Sequence, residues 1–241
     1  MRILCDSASG VSVFFEQDET RARIPDSVDG ALWEAFDTGS VLGGVYETAA
    51  GFDGWDVCLV EDFAQSSQWD RILSLPSSFG RRGLMCVART GVGFHGKGGR
   101  HWYSPPGNLY FCGMVRLDGI DPKSEIISGS MLSRFIASVL VSGFGEGLCV
   151  AGANDLMYDE RKLGGVLCAV EIYPGNEVIL RFGIGLNVNF APDLGPGTSR
   201  ESCCFWDINR YDGISTGEVF KITARLLSGA PLSEAVSVGG Y

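Results

Sequence analysis

A cationic, glycine-rich segment between two apolar stretches constrains the fold more than any other feature of the chain. Residues 91–102 read GVGFHGKGGRHW and contain five glycines. The stretches that flank it, GLMCVART and NLYFCGMVRL, are apolar and rich in strand-forming residues. Glycines cannot fill a core and cost entropy to order, so we predict a loop between two strands whose backbone N–H groups approach a ligand. The alternative is a disordered surface loop that its charges keep soluble.

The charges and rings of this loop indicate an anionic ligand. Lys97, Arg100 and His95 would supply positive charge to phosphate or carboxylate oxygens, and Trp102 offers a flat face for a ring. The loop also contains the pattern GxxxxGK. A phosphate-binding P-loop is nevertheless excluded, because Gly98 follows in place of Ser or Thr and no helix signal comes after it.

The composition limits the class of protein. A chain of 241 residues that is 45% hydrophobic can bury the core of one large domain. Its formal charge of -10 argues against nucleic acid or an anionic membrane as a partner. The eight cysteines lie mostly in apolar runs without a CxxC pair, which is typical of reduced core thiols. With no long apolar stretch at the N-terminus, these features predict a cytoplasmic protein.

Hydrophobic periodicity predicts more strands than helices, joined mostly by hairpins. We therefore expect an α+β fold with a mixed, largely antiparallel β-sheet and helices packed on one face. The predicted strands lie within 55–62, 83–90, 108–117, 148–173 (with a hairpin) and 176–190, and the predicted helices within 66–75, 124–145 and 219–230. In the helix of 124–145, the spacing predicts a buried face formed by Ile127, Met131, Phe135, Val139 and Leu140.

Three segments, in this order, resemble the catalytic domain of the biotin-protein ligases, which are relatives of the lipoate ligases. They read GFHGKGGRHWYSPPGNLYF (93–111), ANDLMYDERKLGGVL (153–167) and FGIGLNVN (182–189). The first is similar to the family's glycine-arginine loop, the second to its Asn-Asp and Lys-Leu-Ala-Gly-Ile-Leu segment, and the third to its Gly-Ile-Gly-Ile-Asn-Val-Asn strand. Together they imply a class II synthetase-like catalytic domain.

The resemblance implies a two-step reaction that uses ATP and Mg²⁺, with biotin as the substrate. The biotin carboxylate attacks the α-phosphorus of ATP, and a lysine of the biotin carboxyl carrier domain of a carboxylase then displaces AMP. The sequence does not determine the oligomeric state, and it leaves a homodimer open. For this chain we predict an N-terminal extension of unknown role without a helix-turn-helix (1–54), the catalytic domain (55–230) and a C-terminal tail without a separate barrel (231–241).

The resemblance also implies the residues of the site. Lys162 matches the family lysine that contacts the acid carboxylate and phosphate, and Lys97 and Arg100 match loop arginines that clamp phosphates. The residues implied for biotin are Ser66, Ser67, Gln68, Gly183 and Gly185. Those implied for ATP and the adenylate are His95, Gly96, Trp102, Asn187, Asn154 and Asp155. Structural roles stay open for most of them: a solvated hairpin lysine, a serine N-cap, an Asn-Asp turn or simple strand packing.

The chain departs from the family mainly where the acid would bind. Gly91 stands in place of a glutamine, Phe94 in place of a glycine and His95 in place of an arginine, and residues 151–153 read Ala-Gly-Ala in place of Lys-Trp-Pro. Two other functions therefore remain open. One is a ligase for lipoate or another acyl acid, and the other is a non-catalytic member that binds a nucleotide or a partner protein.

Overall fold

A ten-stranded β-sheet with five α-helices forms the described part of the chain. The structure is a computed structural model that describes residues 1–36, 38–48, 52–122, 127–193 and 201–233. The strands are β1 (Arg2–Cys5), β2 (Thr20–Arg23), β3 (Gly44–Thr48), β4 (Val57–Glu61), β5 (Leu84–Ala88), β6 (Leu109–Leu117), β7 (Leu148–Ala151), β8 (Asp155–Tyr158), β9 (Arg161–Tyr173) and β10 (Glu177–Leu186). The helices are α1 (Ala8–Phe14), α2 (Ser27–Ala35), α3 (Gln68–Ser74), α4 (Gly129–Phe144) and α5 (Thr216–Ser228).

The strands follow the order β2-β3-β1-β4-β5-β6-β10-β9-β8-β7. The pairs β1–β4 and β4–β5 are parallel, and the other pairs are antiparallel. The α+β class and the mixed, largely antiparallel sheet are therefore confirmed. All predicted strands and helices have counterparts, and the stretch 148–173 holds three strands that are joined by two turns.

The helices cover both faces of the sheet, where the sequence predicted one. Helices α1, α4 and α5 pack on one face, and α2 and α3 pack on the other. The central strands require cover on both sides because β4 and β5 are buried at every position. The two faces thus have separate hydrophobic cores. Along β4, Cys58 and Val60 face the core under α1, α4 and α5, whereas Val57 and Leu59 face the core under α2 and α3.

The N-terminal residues belong to the same sheet. Strand β1 lies between β3 and β4, with Leu4 opposite Leu59 in the parallel ladder. The expected boundary between an extension and the catalytic domain at residue 54 is therefore not a break in the fold. Of the predicted C-terminal tail, residues 234–241 lie outside the described residues, and the division into three regions stays a prediction.

The buried face of α4 lies elsewhere than predicted for most of its residues. Leu132, Ile136 and Leu140 are fully buried, whereas Met131 and Phe135 are only partly buried. The helix starts late because the Ser128 side chain caps it by accepting a hydrogen bond from the Met131 N–H. Ile127, which the sequence placed on the buried face, therefore precedes the helix.

The state of the cysteines and the apolar character of the helices were also considered from the sequence. All eight cysteines are free thiols, and six of them are buried. Among the described residues, no helix combines the length and the apolar character that a bilayer crossing requires.

Candidate active site

The floor of the main pocket is built from one face of β6, β10 and β9. Side chains two residues apart on a strand share a face, so the paired strands present two rows of residues to the pocket. The rows are Tyr110–Gly185–Gly165 and Cys112–Gly183–Leu167. Both central positions are glycine, which leaves the middle of the floor bare.

Two aromatic walls stand on this floor. Trp69 of α3 lies over Gly183, and Trp102 lies over Gly185. A Cβ added at Gly185 would come within 2.7 Å of Trp102 Cε2, whereas one added at Gly183 would lie 3.3 Å from Trp69 Cε3. Glycine at 185 is therefore required for the indole to rest on the strand. The pocket encloses about 470 Å³, including the space open to solvent.

The glycine-rich loop is an ordered hairpin of residues 94–102. The Trp102 N–H donates to the Phe94 carbonyl at 2.8 Å, and the Gly96 N–H donates to the Arg100 carbonyl at 2.7 Å. A short turn that includes Gly98, with φ of 71°, closes the hairpin. Lys97 and Arg100 are exposed near its tip, and neither is paired with a carboxylate of the described residues.

Lys162 lies at the rim of the pocket. Its Nζ is 2.7 Å from Asp155 Oδ1 and 5.5 Å from the centroid of the Trp102 ring. Both side chains of the Lys162–Asp155 pair are 18% exposed. A Cβ added at Gly165, on the pocket floor, would lie 3.9 Å from Lys162 Cε. The fold thus brings Lys162, Asp155 and Trp102 together beside the floor.

Asn187 and Asn154 lie beside Lys162 but do not line the pocket. The buried Asn187 amide donates to the Cys203 carbonyl at 3.0 Å and is 3.4 Å from the Lys162 carbonyl. The Asn154 carbonyl accepts from the Val166 N–H at 2.8 Å. Both contacts hold the backbone around Lys162, and direct contacts of either residue with ATP stay a prediction.

Gln68 lines the pocket, and its side chain is held by the buried Glu61–Arg71 ion pair. Its Nε2 donates to Glu61 Oε2 at 2.6 Å, and Arg71 donates to both oxygens of the same carboxylate at 2.8 and 2.6 Å. Burial raises the pKa of Glu61, while hydrogen bonds from Arg71 and Gln68 oppose that rise. Because the amide nitrogen is committed to Glu61, Gln68 Oε1 is left buried without a hydrogen-bond donor among the described residues. It is a free acceptor on a residue that lines the pocket.

The two serines before Gln68 differ in position. Ser67 is buried and lines the pocket. It occupies the N-cap position of α3, yet its side chain makes no capping hydrogen bond. Ser66 is exposed and does not line the pocket, and its carbonyl accepts from Arg71 at 3.3 Å. Of the three residues predicted here for the acid, Ser67 and Gln68 thus reach the pocket.

His95 and Gly96 of the hairpin line the pocket opposite α3. His95 Nε2 is 2.8 Å from Asp70 Oδ1, and Nδ1 is 3.3 Å from the Gly96 carbonyl oxygen. The hydrogen bond with Asp70 raises the pKa of His95, and partial burial opposes that rise.

Gly91 and Phe94, two of the departures from the family pattern, lie next to each other in the structure. A Cβ added at Gly91 would lie 2.6 Å from the Ala64 carbonyl oxygen and 3.0 Å from Phe94 Cζ, so no larger residue fits there. The Phe94 ring is buried against Tyr110, with ring centroids 5.2 Å apart. Phe94 and Tyr110 therefore form an aromatic inner wall of the pocket, next to the position where the family pattern has a glutamine.

Sequence reasoning missed several pocket residues. They are Trp69, Tyr110, Cys112, Gly165 and Leu167. Asp70, which contacts the lining residue His95, was missed as well. Trp69 lies within the predicted helix of 66–75, but no role in the site was predicted for it. The residues of β6 and β9 lie in stretches that the sequence predicted as strands, so their local conformation was predictable. The pairing that sets them beside Gly183 and Gly185 is a tertiary feature that one sequence does not reveal.

A family model and two curated proteins match the chain. The model of the biotin/lipoate A/B protein ligase family matches residues 63–189, more than half of the 241 residues. The chain is 30% identical over 139 residues to the bifunctional ligase/repressor BirA of Escherichia coli K12, which covers 56% of this chain and 41% of that protein. It is 32% identical over 109 residues to BirA of Salmonella typhimurium, covering 45% and 34% of the two chains. The chain thus matches less than half the length of these curated relatives.

Two solved structures share the fold. The biotin protein ligase of Leishmania major in complex with biotinyl-5-AMP has a TM-score of 0.53 at 22% identity, over 71% of this chain and 74% of that one. The biotin protein ligase of Aquifex aeolicus in complex with biotin and ATP has a TM-score of 0.52 at 22% identity, over 73% and 71%. Together with the match of the family model, they lead to one conclusion: the chain belongs to the biotin/lipoate A/B protein ligase family.

Proposed function

We propose that the protein is a biotin-protein ligase. It adenylates biotin with ATP and transfers the biotinyl group to a lysine of the biotin carboxyl carrier domain of a carboxylase. The observation that carries this proposal is the position of Lys162, whose ammonium lies over Trp102 at the rim of an apolar pocket. The apolar pocket suits the body of an apolar acid, and the rim with Lys162 suits an anion.

The acceptor on Gln68 favours biotin as the acid. A buried carbonyl oxygen without a donor costs free energy, so a ligand that brings an N–H group to Gln68 Oε1 gains affinity. The ureido ring of biotin carries two N–H groups. Neither the dithiolane ring of lipoate nor an alkyl chain offers one, so the site discriminates against both.

The residues at the rim suit the adenylation step. The acid carboxylate attacks the α-phosphorus, a new P–O bond forms and pyrophosphate leaves. Lys162 would stabilise the charge of the carboxylate and phosphate, and Asp155 would hold the ammonium in place. Lys97 and Arg100 would contact the phosphates, together with backbone N–H groups of the hairpin.

Mg²⁺ would arrive with ATP. It retains several waters and binds mainly through phosphates with one or two carboxylates. Among the described residues there is no cluster of three or more metal-ligating side chains. Asp155 is the carboxylate beside Lys162 that would contact the ion. In the second step, the lysine amine of the carrier attacks the carbonyl carbon, an amide bond forms, and AMP leaves as the C–O bond breaks. The cytoplasmic location and the homodimer stay predictions.

A ligase for lipoate or another acyl acid is the second candidate. It is favoured by the aromatic inner wall of Phe94 and Tyr110, which lacks the glutamine of the family pattern. A wall of this kind suits an alkyl chain.

ATP–pyrophosphate exchange with biotin, lipoate and octanoate offered separately tests both functions. We expect exchange with biotin, and a loss of about 10²–10³-fold in Lys162→Ala because a charge at the reacting centre is removed. Arg116→Ala is the control, since Arg116 pairs with Asp118 at the surface and does not line the pocket. Exchange with lipoate or octanoate alone would support the second candidate. Exchange with none of the acids would leave a binding protein, and an active Lys162→Ala would remove its assigned role.

A further inference from the structure

One contact joins the two walls of the pocket. Asp70 is on α3, two residues after Gln68, and His95 is on the cationic hairpin 94–102. Their Nε2···Oδ1 distance of 2.8 Å is that of a charge-assisted hydrogen bond. The other hydrogen bonds of residues 94–102 within the described chain lie inside the hairpin. Asp70 is therefore the hydrogen-bonding anchor between this hairpin and the rest of the described fold.

We propose that Asp70 is a positioning residue that holds His95, and through it fixes the cationic hairpin against α3 in the geometry that binds nucleotide. The inference rests on the proposed function for its ligand, ATP. Lys97 and Arg100 project from the same hairpin and are exposed. A hairpin that is free to move would have to be ordered when phosphates bind, and that ordering would reduce the affinity.

The charges around His95 give the contact a pH dependence. Asp70 faces the imidazole from α3, and His101 lies opposite His95 in the hairpin bridge. Lys97 and Arg100 follow towards the tip, and the strand floor contributes only uncharged residues to the pocket. Asp70 favours the imidazolium, so the ion pair is complete below the ordinary pKa of histidine and is lost as the pH rises through the raised pKa.

The test measures ATP binding by titration calorimetry in wild type and three variants, at about pH 6 and about pH 8.5, on either side of the histidine transition. Asp70→Asn should weaken binding about tenfold relative to wild type at the lower pH and much less at the higher pH. His95→Arg keeps a permanent cation opposite Asp70, so it should bind ATP with less dependence on pH than wild type. Asp118→Asn removes an exposed carboxylate paired with Arg116 and should match wild type at both values.

Asp70 is 57% exposed, so Asp70→Asn is expected to fold, which circular dichroism checks. Equal ATP affinity of folded Asp70→Asn and wild type at the lower pH would overturn the proposal. A tenfold loss that is the same at both pH values would also overturn it, because the loss would not depend on the imidazolium. Should wild type bind ATP but show no exchange with biotin, the proposed function fails while the affinity ratios still decide the role of Asp70. Absence of ATP binding to wild type would overturn both.

Discussion

Gly185 lies beneath the indole of Trp102, and the space between them leaves no room for a methyl group. The absence of a side chain at Gly185 therefore determines how closely the Trp102 wall approaches the floor. Gly183 is less constrained, because a Cβ added there would lie 3.3 Å from Trp69 Cε3, a tight contact that a shift of a few tenths of an ångström relieves.

Gly185→Ala tests this role. We expect it to displace Trp102 and to weaken biotin binding by about 1–3 kcal/mol, the usual cost of forcing an extra methyl group into a packed site. Calorimetric titration with biotin measures the change. Gly183→Ala should cost less, and Gly30→Ala on α2 is the control, because nothing lies within 4 Å of its added Cβ. Unchanged affinity in Gly185→Ala would show that Trp102 does not depend on the glycine.

Individual site residues were predictable to different degrees. Lys162 was predicted from the resemblance of its motif, RKLGG, to a family segment, and a motif of this kind can be read from one sequence. The Asp70–His95 contact carries no such signal, since it depends on how closely a hairpin and a helix 25 residues apart approach each other. The hydrogen bond that occupies the Gln68 amide nitrogen was equally hidden, because Gln68 is on helix α3 and its partner Glu61 is the last residue of strand β4.

Helix α3 carries one wall of the pocket, and Arg181 holds its C-terminal end. The Arg181 side chain is fully buried, and it donates to the carbonyls of Ile72 at 3.0 Å and Leu75 at 2.8 Å. It also forms an ion pair with Glu171 at 2.6 Å. The last carbonyls of a helix lack partners within the helix, so a buried guanidinium supplies the missing donors.

Arg181→Met should therefore lower the free energy of unfolding by about 2–4 kcal/mol, because buried carbonyl oxygens lose their donors. Urea denaturation followed by circular dichroism measures the difference. Arg116→Met is the matched control: its side chain is 44% exposed, and loss of a surface pair should cost less than about 1 kcal/mol. Equal losses in the two variants would contradict the capping role of Arg181.

At the scale of the whole molecule, the N-terminal strands complete the sheet. Strand β4 is buried at all five positions and pairs with β1 on one side and β5 on the other. Without β1, β4 would be an apolar edge with unpaired backbone groups, which favours aggregation. The pocket lies on the other half of the sheet, on β6, β10 and β9.

Deletion of residues 1–54 should consequently give a chain that is insoluble or unfolded on expression, even though every predicted site residue is retained. Soluble yield and far-ultraviolet circular dichroism measure the outcome. A folded, soluble fragment of residues 55–241 would instead support the boundary that the sequence predicted.

The sequence predicted strands β4, β5, β6 and β10 and helices α3 to α5 from their apolar patterns, and it predicted two strands and a hairpin where β7, β8 and β9 lie. It did not predict β1 to β3 as parts of the sheet. Strand β2 reads TRAR, and its four residues carry no apolar alternation. Its strand conformation depends on pairing with β3, which is a tertiary interaction. Cover on both faces of the sheet was missed for the same reason, since it depends on where α1 and α2 pack.

The two tryptophans on the glycine floor give this fold a built-in optical reporter. Trp69 and Trp102 line the pocket. Trp33 and Trp55 are buried in the two cores and Trp206 is exposed outside the pocket, so these three contribute a constant background. A molecule that enters the pocket changes the surroundings of both lining indoles. Occupancy can therefore be followed from intrinsic emission, without a label and without turnover.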